Sequence, residues 1–250
     1  MMRYRQNLSD APHFRRPTAP FSCRLRSLVS LTEKEERFIE TLQSDLHAIS
    51  MGTQLYREGE ATVRPWIVAA GWACRMRALP DGRRQIVSFF LPGDTIGIGE
   101  LQHPVAQCTI LAITDLELLG AQRLVDAMNG RDDAMPNIIE AFAKEPIRRR
   151  AQQLDHILRL GRLTALERTA HLLLELQDRL STAGLAQTDR FPLLLTQSQM
   201  GEALGLSLVH VNRTMQQLRR DGLVALKSGW ASILDRQQME LLCDYRTIVL

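Results

Sequence analysis

The chain reads as an α+β protein: an N-terminal β-sandwich or barrel, a long bridging helix, and a C-terminal helix-turn-helix followed by a β-hairpin. Three observations predict this. Residues 49 to 120 hold short apolar and β-branched runs broken by glycine at 52, 59, 71, 82, 93, 97 and 99, the texture of closely spaced strands. Residues 135 to 161 carry apolar side chains at intervals of three and four. Residues 196 to 220, TQSQMGEALGLSLVHVNRTMQQLRR, read as two short helices joined by a tight turn.

Charge sets the first residues apart. Residues 1 to 26 hold six arginines (Arg3, Arg5, Arg15, Arg16, Arg24 and Arg26) against Asp10, a local +5 in a chain whose formal net charge is +3, so the remainder is slightly acidic. With Pro12, Pro17 and Pro20 among them, residues 1–24 are expected as a basic flexible tail that adds weak, salt-sensitive phosphate contacts. They lack the apolar block of a secretory signal, and no apolar run approaches the ~20 residues that span a bilayer. A cytoplasmic chain without a membrane partner is the expectation. Global charge is no argument for nucleic-acid binding here, which must rest on where particular basic residues lie.

Residues 25–134 form the expected β-rich domain. Pro80-Asp81-Gly82 predicts a turn between strands Cys74–Leu79 and Gln85–Leu91, and Leu91-Pro92-Gly93-Asp94 closes the second strand. Cysteines 23, 74, 108 and 243 show no C-x-x-C pair and no histidine at zinc-like spacing. Cys74 and Cys108 read as core residues, and Cys23 sits in a polar segment where a thiol can be reactive.

Residues 135–161 make the bridge, with Ile139, Ala143, Ile147, Ala151, Leu154 and Leu158 along one face. Such a stripe either meets a copy of itself in a parallel coiled coil or packs on its own barrel. Pro146 removes a backbone bond, so the helix is expected to bend there or to begin near Glu145. Gly161 is expected to end it as a hinge.

Residues 162–250 form the last domain, opening on a helix from Ala165 to Leu180 and a short strand from Phe191 to Leu195. Met200, Leu204 and Val211 supply the apolar face of the helix pair. Gly201 falls at the close approach of the two helices, Gly205 suits a turn at positive φ, and Ser207 can cap the second helix. Runs Leu223 to Leu226 and Trp230 to Leu234 flank a Lys227-Ser228-Gly229 turn and make a wing with a basic tip. Asp235 is a good N-cap for a closing helix from Arg236 to about Tyr245. A helix-Gly-helix segment alone is common, but with a basic hairpin directly behind it the pattern points to double-stranded DNA.

In this order the parts resemble the Crp/Fnr superfamily of bacterial transcription regulators. The residues that carry the resemblance are GWACRMRALPDGRRQIVSFFLPGDTIG from Gly71 to Gly97, LGRLTALERTAHLLLEL from Leu160 to Leu176, and LTQSQMGEALGLSLVHVNRTMQQLRRDGL. The resemblance implies a homodimer with an N-terminal jelly-roll sensor like a cyclic-nucleotide-binding domain, a long dimerisation helix and a C-terminal winged helix-turn-helix. It also implies a two-fold symmetric operator and RNA polymerase as a partner.

Departures from the family pattern bear on the signal. Members that bind cyclic nucleotides hold the phosphate with an Arg-Ser pair and a glutamate after a glycine. Here Glu100 follows Gly99, but the counterparts of the pair are Ala106 and Gln107. Without a guanidinium the phosphate loses charge-assisted bonds worth ~1.5–3 kcal/mol each, so cyclic AMP is not the expected ligand. The segment SCRLRSLVSLTEKE, Ser22 to Glu35, resembles the end of the cysteine segment of oxygen-sensing members, yet only Cys23 remains where a 4Fe–4S centre needs four thiolates. Lone histidines at 47, 103 and 156 make a poor case for haem. No cofactor is expected, and the effector is unidentified.

In the reading helix, the resemblance places Leu208, Val209, His210, Asn212 and Arg213 at base edges. Arg213 matches the arginine that pairs with guanine in relatives, Asn212 suits adenine or a phosphate, and Leu208 and Val209 replace polar readers and suit thymine methyls. Phosphate contacts fall by position to Thr196, Gln197, Ser198, Ser207, Gln216, Lys227 and Ser228, although Thr196 and Ser198 also read as plain helix caps. Two other readings stand beside this one. A cupin-like metal enzyme would need clustered histidines, and no H-x-H or nucleophile-base pair occurs. A constitutive regulator would keep the dimer and the DNA head but drop the effector.

Overall fold

The computed structural model describes residues 16–61, 64–99, 105–130 and 135–248. Most of the expected tail, together with Glu100 and His103, lies outside the described residues. Among the described residues eight strands build the N-terminal domain: β1 (Leu46–Ile49), β2 (Gln54–Tyr56), β3 (Trp66–Ala70), β4 (Ala73–Ala78), β5 (Arg84–Phe90), β6 (Thr95–Ile96), β7 (Thr109–Ala112) and β8 (Leu116–Gly120). They pair antiparallel in two four-stranded sheets, ordered β1-β8-β3-β6 and β2-β7-β4-β5. This is the jelly-roll domain.

Alternation along the strands decides what each sheet touches. Tyr56, Val68, Ala73, Phe90, Ile96, Ile110 and Leu118 point between the sheets and form the inner core. Ile67, Ala69 and Leu119 point the other way from the first sheet, into Phe21, Leu25, Ile39, Leu124 and Ile138. These last residues belong to α1 (Ala19–Arg26), α2 (Glu33–Thr41), α3 (Gln122–Asn129) and the start of α4 (Pro136–Arg162). Cys74, Met76, Ile86 and Phe89 project from the outer face of the second sheet, where they join one buried cluster with Leu173, Met200 and Leu204 of the C-terminal domain. The two domains therefore share a core.

Helix α1 corrects the expected tail, whose last residues, from Ala19 on, are helical. Pro20 stands in its first turn, where a missing N–H costs nothing. Phe21 and Leu25, four apart, are buried, and Arg24 is buried beside them. Cys23 is half-buried in this helix rather than in an open polar segment. Cys108, expected in the core, is also only half-buried, whereas Cys74 and Cys243 are fully enclosed. Desolvation pushes the Cys74 thiol up to about 12 and the Cys243 thiol to about 11, so both are protonated and inert near neutrality.

Helix α4 runs unbroken from Pro136 to Arg162. Pro146 lies inside it and does not restart it, although proline offers no N–H to the carbonyl of Phe142. Gly161 does not end it either. The stop comes after Arg162, where Leu163 turns to an extended conformation and Thr164 caps the next helix with Glu167 as its reciprocal partner.

The two sides of α4 do different work. Ile138, Ala141, Glu145 and Arg159 fall on the face buried in the protomer. Ile147, Leu154, Ile157 and Leu158 lie on the opposite face, at 58%, 59%, 66% and 43% exposure, with Ile139 and Ala143 open above them. Of the two readings of the apolar stripe, packing on its own barrel is the one the structure removes. Ala151 sits at the stripe's margin, half-buried, and Ile157 belongs to the stripe in its place.

Candidate nucleic-acid interface

The C-terminal domain consists of α5 (Ala165–Thr182), β9 (Arg190–Pro192), α6 (Gln197–Leu204), α7 (Leu208–Arg220), β10 (Val224–Lys227), β11 (Trp230–Ile233) and α8 (Arg236–Cys243). Each helix of the reading pair is started by a side chain that answers an orphan N–H. Thr196 Oγ1 accepts from Gln199 N at 3.2 Å while the Gln199 side chain accepts from Thr196 N at 2.8 Å. Ser207 Oγ accepts from His210 N at 3.3 Å.

The turn between α6 and α7 depends on two glycines. Gly205 takes φ 64° as the left-handed cap of α6, a conformation that costs most residues energy. A Cβ on Gly201 would stand 2.6 Å from the Leu206 carbonyl oxygen and 3.7 Å from Val211. The close approach is thus mainly to the turn backbone, with the second helix a lesser neighbour.

One face of α7 is core: Val211, Thr214, Met215 and Leu218 are buried against the domain. The other face is open. Leu208 is 54% and Val209 68% exposed, and His210, Asn212, Arg213 and Gln216 are exposed with them. Gln197 Nε2 donates to Asn212 Oδ1 at 3.2 Å, which places the start of α6 beside the middle of α7. His210 Nδ1 lies 3.0 Å from Ser207 Oγ, so only its other ring nitrogen is left for an outside partner. Thr196, Gln197, Ser198 and Ser207 are exposed as well, and the capping duty of Thr196 leaves its hydroxyl hydrogen free to donate.

Strands β10 and β11 pair antiparallel, Lys227 opposite Trp230, and β9 joins the outer side of β11. Ser228 at φ 51° and Gly229 at φ 83° give the left-handed pair that a two-residue hairpin needs. Lys227 and Ser228 stand exposed at the tip. Arg190 lies over the Trp230 ring at 5.2 Å, next to the tip of the wing.

The residues expected around an effector offer little to a charged ligand. Gly99 is exposed with open space around it, and Glu100 is outside the described residues. Ala106 is buried in the jelly-roll core, and Gln107 is exposed, its side-chain amide donating to the Val105 carbonyl at 3.3 Å. Neither supplies a charged group for a cyclic phosphate. Instead, the Arg75 guanidinium, which the sequence reading passed over, lies 5.3 Å from the Phe90 ring on the inner side of the second sheet.

Two family models match the chain: a cyclic nucleotide-binding domain over residues 46–123 and a Crp-like helix-turn-helix domain over residues 167–242. The nitrogen fixation regulation protein FixK of Bradyrhizobium diazoefficiens is 32% identical over 216 residues, covering 85% of this chain and 87% of that protein. The chain belongs to the Crp/Fnr family. This Crp/Fnr regulator is also similar to the transcriptional activatory protein AadR of Rhodopseudomonas palustris, at 27% identity over 75% of the chain and 77% of that protein. Its fold superposes on FixK2 from Bradyrhizobium japonicum with a TM-score of 0.67 and 29% identity, covering 81% of this chain and 98% of that one. It is a DNA-binding transcription regulator, and α6 and α7 lie within its helix-turn-helix domain. Among the described residues of this Crp/Fnr chain no group of three or more His, Cys, Asp or Glu could hold a metal, and no helix is long and apolar enough to cross a membrane.

Proposed function

We propose that this regulator binds a two-fold symmetric operator as a homodimer, with Leu208, Val209, His210, Asn212 and Arg213 at base edges in the major groove. Thr196, Gln197, Ser198, Ser207, Gln216, Lys227 and Ser228 hold the phosphates and set register without reading sequence. The observation that carries this reading is the division of α7: one face is wholly buried, while its apolar and hydrogen-bonding readers stand open together. An exposed Val209 beside an exposed Leu208 has no stabilising role in the protomer and suits thymine methyls.

The exposed stripe of α4 supports the dimer. Ile139, Ala143, Ile147, Leu154, Ile157 and Leu158 form an apolar strip that a second copy of α4 would cover, as in a parallel coiled coil. RNA polymerase is the further partner in this reading, and the cytoplasm is its place of action. Selection of bound duplexes from a random pool tests the core of it: the winners should be inverted repeats with half-site centres about one helical turn apart. Recovery of single, asymmetric sites would overturn the symmetric reading. Transcription in vitro from a promoter carrying the selected site tests the polymerase contact.

A further inference from the structure

Helix α7 carries no carboxylate: its 13 residues from Leu208 to Arg220 include neither Asp nor Glu. On its open face Leu208 and Val209 are apolar, so hydrogen bonding to base edges falls to His210, Asn212 and Arg213. An arginine only donates, and the Nδ1 of His210 is already taken by Ser207 Oγ at 3.0 Å. Asn212 is left with both a donor and an acceptor, and which of the two it presents decides the bases it can read.

Gln197 bears on that choice. Its Nε2 donates to Asn212 Oδ1 at 3.2 Å, so the carbonyl end of the Asn212 amide is engaged by α6 and the Nδ2 hydrogens are what the amide has left to offer. Both side chains are exposed, but the backbones that carry them are held in place. The reciprocal cap of Thr196 and Gln199, at 3.2 and 2.8 Å, fixes the first turn of α6. Val211, next to Asn212, is buried, with its Cγ2 3.7 Å from where a Cβ on Gly201 of α6 would stand. An exposed amide pair adds little to folding, and its consequence lies in orientation.

We propose that Gln197 is a specificity-determining residue: by holding Asn212 Oδ1 it commits the Asn212 amide to donating, so that Asn212 reads a keto oxygen, O6 of guanine or O4 of thymine. It rests on the reading that places α7 at base edges in the major groove. A fork onto adenine needs Oδ1 to accept from N6 while Nδ2 donates to N7, and the contact with Gln197 competes with it. Cytosine, which offers only its N4 donor, is refused outright. The second Nε2 hydrogen of Gln197 remains for the phosphate assigned to this residue, so one side chain links the backbone contact to the choice of base.

A missing-base footprint of the full-length wild type and of Asn212→Ala on the selected operator assigns the base, and its strand, that Asn212 reads. Wild type, Gln197→Ala and Gln197→Glu are then titrated with operators carrying each possible base pair at that place in both half-sites. Wild type should favour guanine or thymine on the contacted strand over adenine or cytosine by about fivefold or more, the usual cost of one mismatched pair. Gln197→Ala should lose most of that preference, because the released amide can turn to suit either edge. Gln197→Glu can only accept, so Asn212 donates to it and presents Oδ1 instead. Its preference should invert towards adenine or cytosine, even though the added charge weakens binding to every sequence. Circular dichroism of both variants should match wild type, since Gln197 is exposed. A wild-type preference for adenine or cytosine, or an unchanged preference in both Gln197 variants, overturns the proposal while base reading by α7 stands. Equal loss on every sequence for Asn212→Ala would instead defeat the placing of Asn212 at a base edge, and the proposal with it.

Discussion

Arg179 on α5 reaches Asp94 in the turn between β5 and β6 at 2.7 Å, and the same nitrogen donates to the Phe89 carbonyl at 2.7 Å. Asp94 also pairs with Arg24 of α1, so one buried carboxylate fastens the helical cover, the jelly roll and the reading domain together. Burial opposes ionisation of Asp94, but the Arg24 and Arg179 charges outweigh it and hold the carboxyl below its ordinary range. Around this contact lie Arg84 to Glu202 at 2.6 Å and the Gln85 amide donating to the Ala203 carbonyl at 3.2 Å. Asp94→Ala should therefore destabilise the protein by about 1–3 kcal/mol, because Arg24 and Arg179 each lose a buried charge-assisted bond while Arg24 keeps Glu145 and Arg179 keeps Glu175. Urea unfolding checks this, and a loss within error of zero would mean the network is ornamental.

Gly201→Ala should cost about 1–3 kcal/mol, because its Cβ would meet the Leu206 carbonyl oxygen at 2.6 Å and force the turn apart. Operator affinity should fall with stability, since the turn sets the angle of α7. Thermal unfolding and DNA titration of the one variant read both effects.

Leu154→Glu should separate the protomers. The side chain is 59% exposed in one chain, so folding of the protomer loses little, whereas a dimer loses two buried leucines at roughly 1.5–3 kcal/mol each. Sedimentation equilibrium of the variant should show monomer with unchanged circular dichroism. A dimer of wild-type affinity would place the interface elsewhere.

Acid should weaken the fold in two stages. His171 is buried edge-on against Tyr245 with Arg159 donating to its Nδ1 at 3.0 Å. Burial, helped by the Arg159 charge, lowers its pKa to about 4. Below ~6.5 the unfolded chain takes up this proton and the native state does not, so stability falls as pH drops from about 6.5 towards 4. Glu175 behaves in the carboxylate sense: burial raises its pKa, but Arg159 and Arg179 together bring it down to about 2. Its contribution is complete above ~4.3 and is lost as pH falls towards 2. Urea midpoints from pH 7 to 4.5 should decline in the wild type and flatten in His171→Gln. An equal slope in both would assign the first stage to other groups.

What could be read from the sequence was local. Thr196, Gly205, Ser207, the Ser228-Gly229 turn and Asp235 each act within a few residues of their own position, so the reading head was legible almost residue by residue. Pro80-Asp81-Gly82 was equally plain, with Gly82 N donating to the Leu79 carbonyl at 3.0 Å. Helix α1 had a signal, Pro20 followed by Phe21 and Leu25, that the surrounding arginines obscured. Helix α4 outlasted Gly161 because a capped start at Thr164, rather than glycine, marks the boundary. The network around Asp94 was out of reach: residues 24, 94 and 179 share no local pattern, and only the docking of the two domains assembles them.

The central claim is that Arg213 reads a base. It is exposed on α7, one position from Asn212 and facing away from the buried Val211 and Met215. Titration of wild type, Arg213→Ala and Lys227→Ala against the selected operator and its single-base variants, at two salt concentrations, tests it most directly. Arg213→Ala should lose about 1–3 kcal/mol on the selected site and little on the site altered at its own base, whereas Lys227→Ala should weaken every sequence alike and lessen the salt dependence. Equal loss on every sequence for Arg213→Ala would contradict a base-reading role and reduce the residue to a phosphate contact.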